Sequence, residues 1–109
     1  MIEITDDEAQ KAVDYLVSST KDYAMWKSRM VFLDKNRKTV RAIAILRATG
    51  KTISENTIRG EASEDYQNAL KEYEEAVEQF TLIDSYRKAA ETKIDLWRSI
   101  NASLRRGNI

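Results

Sequence analysis

The chain has no cysteine, no histidine and no proline, and only three of its 109 residues are glycine. Without Cys and His there is no thiol nucleophile, no His-based triad, no zinc site of the usual donors and no imidazole acid–base catalyst. A metal site built from carboxylates alone stays formally open, but the acids are spread along helix faces, which argues against it. No Gly-rich phosphate loop, catalytic carboxylate pair or nucleophile–base pair stands out. The expectation is a protein that is not an enzyme and needs no cofactor.

The lack of proline and the scarcity of glycine favour uninterrupted helix. No stretch approaches a membrane span, and the mean hydropathy is −0.57, so a soluble protein with no membrane partner is expected. The start, Glu3-Ile4-Thr5-Asp6-Asp7 after Met1-Ile2, lacks the basic and apolar regions of a signal peptide. With no cysteine to stabilise in an oxidising compartment, the expected location is cytoplasmic.

What the chain does have is heptad spacing. One apolar seam runs Tyr23, Trp26, Met30, Leu33, Arg37, Val40, Ala44. A second runs Tyr66, Ala69, Tyr73, Ala76, Phe80, Ile83, Arg87, Ala90, Ile94, Trp97, Asn101, Leu104. Spacings of three and four alternate throughout, the pattern of helices packed side by side. The second seam, drawn as one helix at 1.5 Å per residue, extends about 58 Å. Arg37, Arg87 and Asn101 interrupt the seams. Polar residues there fix register or oligomer order, or an arginine buries its stem and exposes its guanidinium.

Thr5-Asp6-Asp7-Glu8 reads as a capping box. Ala9, Ala12, Val13 and Leu16 then give a short amphipathic helix, which Ser18-Ser19-Thr20 interrupts. Ser19 or Thr20 is placed to cap the next helix, which runs to Thr49 with Gly50 as its stop. Thr52 to Glu55 caps a single turn that Gly60 should end. Ser63-Glu64-Asp65 opens the last helix, and Gly107 closes it before an Asn108-Ile109 tail. The reading is one helical domain over residues 1–109, all-α, with helices at about 6–18, 21–49 and 64–106 and an irregular connection at 50–63. The short N-terminal helix accompanies an antiparallel, coiled-coil-like hairpin of the two long helices, assembled into a homo-oligomeric bundle or ring.

The net charge is zero, but charge is segregated. Residues 1–20 carry one Lys against five acids, and residues 21–51 carry nine bases against two acids. Residues 61–84 carry eight acids against one Lys, and residues 85–109 carry six bases against two acids. An antiparallel hairpin lays the basic second helix on the acidic first half of the long helix. It also lets the acidic first helix reach the basic C-terminal half.

Two basic clusters are candidate nucleic-acid contacts. One is Lys35, Arg37, Lys38 and Arg41, and the other is Arg98, Arg105 and Arg106 beside Trp97. Basic groups next to aromatics suit single-stranded nucleic acid. Pairing with the chain's own acidic segments is the plainer alternative, and Trp97, at a seam position, reads as core. Beside its seam the second helix carries another stripe, Met25, Phe32 and Leu46, with Val31 and Ile45 nearby and Thr39 in the remaining heptad place. The first helix is too short to cover it, so it is expected to be an oligomer interface. The alternative is a compact three-helix monomer.

The run Trp97-Arg98-Ser99-Ile100-Asn101-Ala102, followed by Arg105-Arg106-Gly107, resembles the WRSxNA…RxG ending of a group of short phage-encoded helical proteins. Ser63-Glu64-Asp65-Tyr66 after a Gly-containing turn is similar to that group as well, and the likeness covers residues 20–109. The layout also resembles the UvsY-type recombination mediators of T-even phages: a Tyr/Trp-bearing basic helix, a Gly-containing turn, a long second helix and an Arg-Gly near the end. That resemblance implies a ring-forming accessory factor in the host cytoplasm. Such a factor binds single-stranded DNA and helps load a recombinase in place of a single-strand-binding protein. The other reading is a structural or adaptor coiled coil acting through protein–protein contacts.

Overall fold

The computed structural model describes residues 3–107, all-α, in four helices: α1 Asp6–Ser18, α2 Thr20–Arg47, α3 Ile53–Glu61 and α4 Glu64–Gly107. The expected Asn108-Ile109 tail and the first two residues lie outside the described residues. The chain divides into two compact units, one of Met1–Ala24 with Thr81–Ile109, the other of Met25–Phe80. Both α2 and α4 contribute a part to each.

In the first unit α1 lies antiparallel to the C-terminal half of α4. Trp97 Nε1 donates to Asp6 Oδ1 at 2.7 Å, and nine residues further along α1 the Tyr15 ring meets Tyr86 edge-on at 6.4 Å. Thr5 caps α1, its hydroxyl accepting from the Glu8 N–H at 3.1 Å. Three acids in the first turn suit the positive helix end. The acidic first helix therefore sits on the basic half of α4, as charge segregation suggests.

Only Ser19 separates α1 from α2, and neither Ser19 nor Thr20 acts as the expected cap. The Thr20 hydroxyl donates back to the Leu16 carbonyl oxygen at 2.7 Å, and the Ser19 hydroxyl accepts from Arg87 Nη1 at 2.7 Å. Arg87 Nη1 also donates to Leu16 O at 2.7 Å. A side chain inserted at a carbonyl that a helix would otherwise use is a defined cause of a helix break. Arg87 is thus neither a snorkelling residue nor a bare register marker: it occupies the break.

In the second unit α2 and the first half of α4 run antiparallel. Asn36 and Glu72 line one end of a shared cavity of about 620 Å³, and Arg47 and Asp65 line the other. The residues the two heptad seams assign to this packing are buried or half-buried, from Met30 to Ala44 on α2 and from Tyr66 to Phe80 on α4.

The connection expected to be irregular holds the nine-residue α3. Thr52 caps it, accepting from the Glu55 N–H at 3.1 Å, while Glu55 Oε2 accepts from the Lys51 N–H at 3.0 Å. Gly60 does not end this helix; it is buried in the last turn against Ile45. A Cβ at Gly60 would stand 2.5 Å from Ile45 Cγ1 and 2.8 Å from the Ile45 backbone nitrogen. Its glycine serves a close approach of α3 to α2, not a change of chain direction. Gly50 likewise is not a left-handed stop: α2 already ends at Arg47, and no described residue has a positive φ. The Gly50 N–H donates to Asn56 Oδ1 at 2.7 Å instead.

The core is narrow. Among the described residues its fully buried apolar side chains are Leu33 and five alanines, Ala9, Ala12, Ala69, Ala76 and Ala90, with Met30, Val40, Phe80 and Trp97 half-buried. Alanine faces let helices approach closely but remove little apolar area from water. Larger side chains off the seams, Phe32, Leu46 and Tyr86 among them, are left at the surface.

Candidate functional site

The two basic clusters differ in what already holds them. On α2 three of the four cations are engaged. Arg37 Nη2 and Nε donate to Asp34 Oδ1 at 2.6 and 2.9 Å, and its guanidinium lies 4.6 Å from the Tyr73 ring centre. The Arg37 hydrogen bond holds the Asp34 carboxyl below its ordinary range against the opposing effect of burial, with Lys38 adding to the lowering. The same contact raises the Arg37 pKa. Lys38 Nζ stands 3.4 Å from Asp34 Oδ2, and Arg41 Nη2 donates to Glu61 Oε1 on α3 at 2.6 Å. Lys35 is exposed and makes no ion pair among the described residues. Pairing with an acidic segment therefore holds for Arg41 alone, through Glu61; Arg37 and Lys38 are held instead by Asp34 of their own basic helix.

On α4, Arg98, Arg105 and Arg106 are exposed, and none forms an ion pair among the described residues. Arg98 and Arg105 stand seven residues apart and share a helix face, with Arg106 about 100° round from Arg105. Trp97 does not join them as a stacking platform. It is half-buried, and its indole N–H is held by Asp6.

The spare stripe on α2 is uncovered. Phe32 is 65% exposed and Leu46 84%, with Met25, Val31 and Ile43 also exposed and Ile45 half-buried against Gly60. Spacings of seven from Met25 through Phe32 and Thr39 to Leu46 make this a second heptad line on one helix. On α4 a comparable line runs through Leu82, Tyr86, Ala89, Lys93 and Leu96, of which the sequence marks Tyr86 alone, as a packing tyrosine with its hydroxyl at the surface. The line is legible as positions four and three apart. The inner seam beside it, better filled with apolar residues, masked the pattern.

The cavity of the second unit mixes Arg47, Arg59, Asp65 and Glu72 with the amides of Asn36 and Asn68. Arg59 is turned to Glu55 at 2.7 Å. No nucleophile is paired with a base in it. Among the described residues no group of three acids could hold a metal ion, and no helix is long and apolar enough to cross a membrane. No family profile, curated protein or solved structure matches the chain.

Proposed function

We propose that the chain is a non-enzymatic, oligomeric accessory factor of phage-type DNA recombination or replication, acting in the host cytoplasm. In this reading it binds single-stranded DNA and helps load a recombinase in place of a single-strand-binding protein. The observation that carries the DNA contact is the exposed arginine set at the end of α4. Arg98, Arg105 and Arg106 form no ion pair among the described residues, whereas Lys38 and Arg41 already have carboxylate partners. Phosphates would meet the α4 set first, and the binding would weaken with salt as counterions are released. On α2, Lys35 is the cluster member that is exposed and forms no ion pair among the described residues.

The test is fluorescence anisotropy of labelled single-stranded and duplex DNA over a salt series. Replacing Arg105 and Arg106 with Ala should weaken single-strand binding and flatten its salt dependence, while Lys38→Ala should change it less. Unchanged affinity in the double arginine variant would remove these residues from the DNA contact. Absence of binding at low salt would remove the reading itself.

One observation favours a second reading, an adaptor that works through protein contacts alone: the exposed line of Met25, Phe32 and Leu46. Exposed apolar patches of this kind mark interaction surfaces. Phe32→Glu would then abolish assembly or partner capture, and the protein would ignore DNA.

A further inference from the structure

The exposed line on α4 has a definite chemistry. Leu82, Tyr86, Ala89, Lys93, Leu96 and Ile100 follow one another at alternating spacings of four and three. Tyr86 is 60% exposed, Leu82 and Leu96 are exposed, and Ile100 is half-buried. All six lie in the first unit. The inner seam beside them is already occupied, through Arg87 at Ser19 and Trp97 at Asp6. A repeat of 3.5 residues is the signature of another helix lying alongside, and a flat surface or a polymer imposes no such period.

Three observations identify the occupant as a second copy of this chain. The first is the flank. On the side away from the inner seam the line is bordered by Ser85, Thr92 and Ser99, all exposed and neutral. Nothing there attracts a polyanion or repels a like surface. The α2 line is interrupted by Lys35 and bordered by Arg29 and Lys38, so two copies of it would meet with like charge.

The second is self-complementarity. Reversed on itself with Ala89 opposite Lys93, the line sets Tyr86 opposite Leu96 and Leu82 opposite Ile100. Each layer then joins unlike residues, and the long stem of Lys93 lies over the small Ala89. A parallel pairing would instead oppose Lys93 to Lys93 and Ala89 to Ala89, one repulsive and one empty.

The third is charge. Glu8, Ala89, Lys93 and Lys11, the last paired with Asp7, line the same groove of about 440 Å³ between α1 and α4. Neither Glu8 nor Lys93 has an ion-pair partner among the described residues. In the pairing above each Lys93 lies over the other copy's Ala89, so a second copy's ammonium takes the place of the chain's own at that groove and at Glu8.

We infer that α4 carries a dimer interface in which Leu82 to Ile100 packs antiparallel on the same stripe of a second copy, with Lys93 reaching the partner's Glu8. The contact is isologous, so the twofold axis repeats the ion pair. It requires no nucleic acid and stands whether or not the chain binds DNA.

Light scattering over a concentration series tests it. Wild type should show twice the mass of Leu96→Glu, with equal circular dichroism, since Leu96 is exposed within one chain. Lys93→Glu should weaken assembly about tenfold or more, and Glu8→Lys in the same chain should restore it. The chain has no cysteine, so introduced thiols report register. A mixture of Leu82→Cys and Ile100→Cys chains should cross-link on oxidation, and neither variant should cross-link alone. Equal masses for wild type and Leu96→Glu, or Leu82→Cys linking only to itself, would overturn the inference.

Discussion

Arg87 and Ser19 are joined across the first unit by a 2.7 Å hydrogen bond from the Arg87 guanidinium to the Ser19 hydroxyl. The same Nη1 serves Leu16 O, and the guanidinium lies 4.8 Å from the centre of the Tyr23 ring. One α4 side chain thereby meets the end of α1, the break and the first turn of α2. In the second unit the roles are exchanged, with Arg37 of α2 over Tyr73 of α4. The two arginines that interrupt the seams each meet a tyrosine of the opposing seam.

Replacing Arg87 with Met keeps most of the volume but leaves the buried Ser19 hydroxyl without its donor. The expected loss is about 1–3 kcal/mol, the cost of an unsatisfied buried polar group. Arg87→Lys should recover little, because an ammonium does not reproduce a planar guanidinium over a ring. Urea unfolding of the three proteins checks this; a midpoint for Arg87→Met equal to wild type would remove the assigned role.

Gly60→Ala should destabilise by about 1–3 kcal/mol through overpacking. Shortening Ile45 to Ala should give only partial relief, since the Ile45 backbone nitrogen and Cα are also within 2.9 Å of the added Cβ. Gly107→Ala, with nothing within 4 Å of its Cβ, should be neutral or slightly stabilising. Thermal unfolding of the three variants discriminates them.

Leu33 is 4% exposed, and Leu33→Ala should cost about 2–5 kcal/mol. Leu46, at 84% exposed, should tolerate Ala within about 0.5 kcal/mol in a single chain. Denaturant midpoints at low protein concentration test the contrast. A large loss at Leu46 that grows with concentration would instead report a contact between chains.

Two ion pairs set opposite pH limbs. The Asp34 carboxyl is lowered from 3.8, first by its Arg37 hydrogen bond. Its contribution is therefore present above the unfolded-state value and lost as pH falls through the folded one. The Lys88 ammonium is raised from 10.5, first by its hydrogen bond to Asp84. Its contribution is present below the unfolded-state value and lost as pH rises through the folded one. Asp34→Asn should flatten the acid limb of stability, and Lys88→Met the alkaline limb. Unfolding midpoints from acid to alkaline pH measure both, and crossed effects would contradict these pairings.

Helices α1, α2 and α4 were legible because their signals are local and repeated, whereas the nine-residue α3, with no repeat to mark it, reads from sequence as a single turn in an irregular connection. Thr5 and Ser63 cap the helices they precede, and heptad spacing marks both packed seams. The glycines were less legible. A stop and a close approach use the same residue, and only the position of Ile45 distinguishes them at Gly60. The break at Ser19 could be placed from Ser18-Ser19-Thr20, but its cause could not, since Arg87 lies 68 residues away. For the basic clusters, sequence supplied charge but not pairing. Asp34, within one turn of Arg37 and Lys38, was an available signal for their pairing, whereas Glu61 reaches Arg41 only through α3.

The alanine faces have a thermodynamic consequence. A single chain keeps its larger seam side chains only half-buried and leaves Phe32, Leu46 and Tyr86 exposed, so part of its hydrocarbon is already wet before it unravels. Its unfolding should therefore carry a smaller heat-capacity increment and a shallower dependence on denaturant than full burial of these side chains would give. If bringing chains together covers the side chains that the alanines leave outside, part of the apolar burial arrives only on assembly. Dilution would then act as a denaturant, and the melting temperature would be a property of protein concentration as much as of sequence.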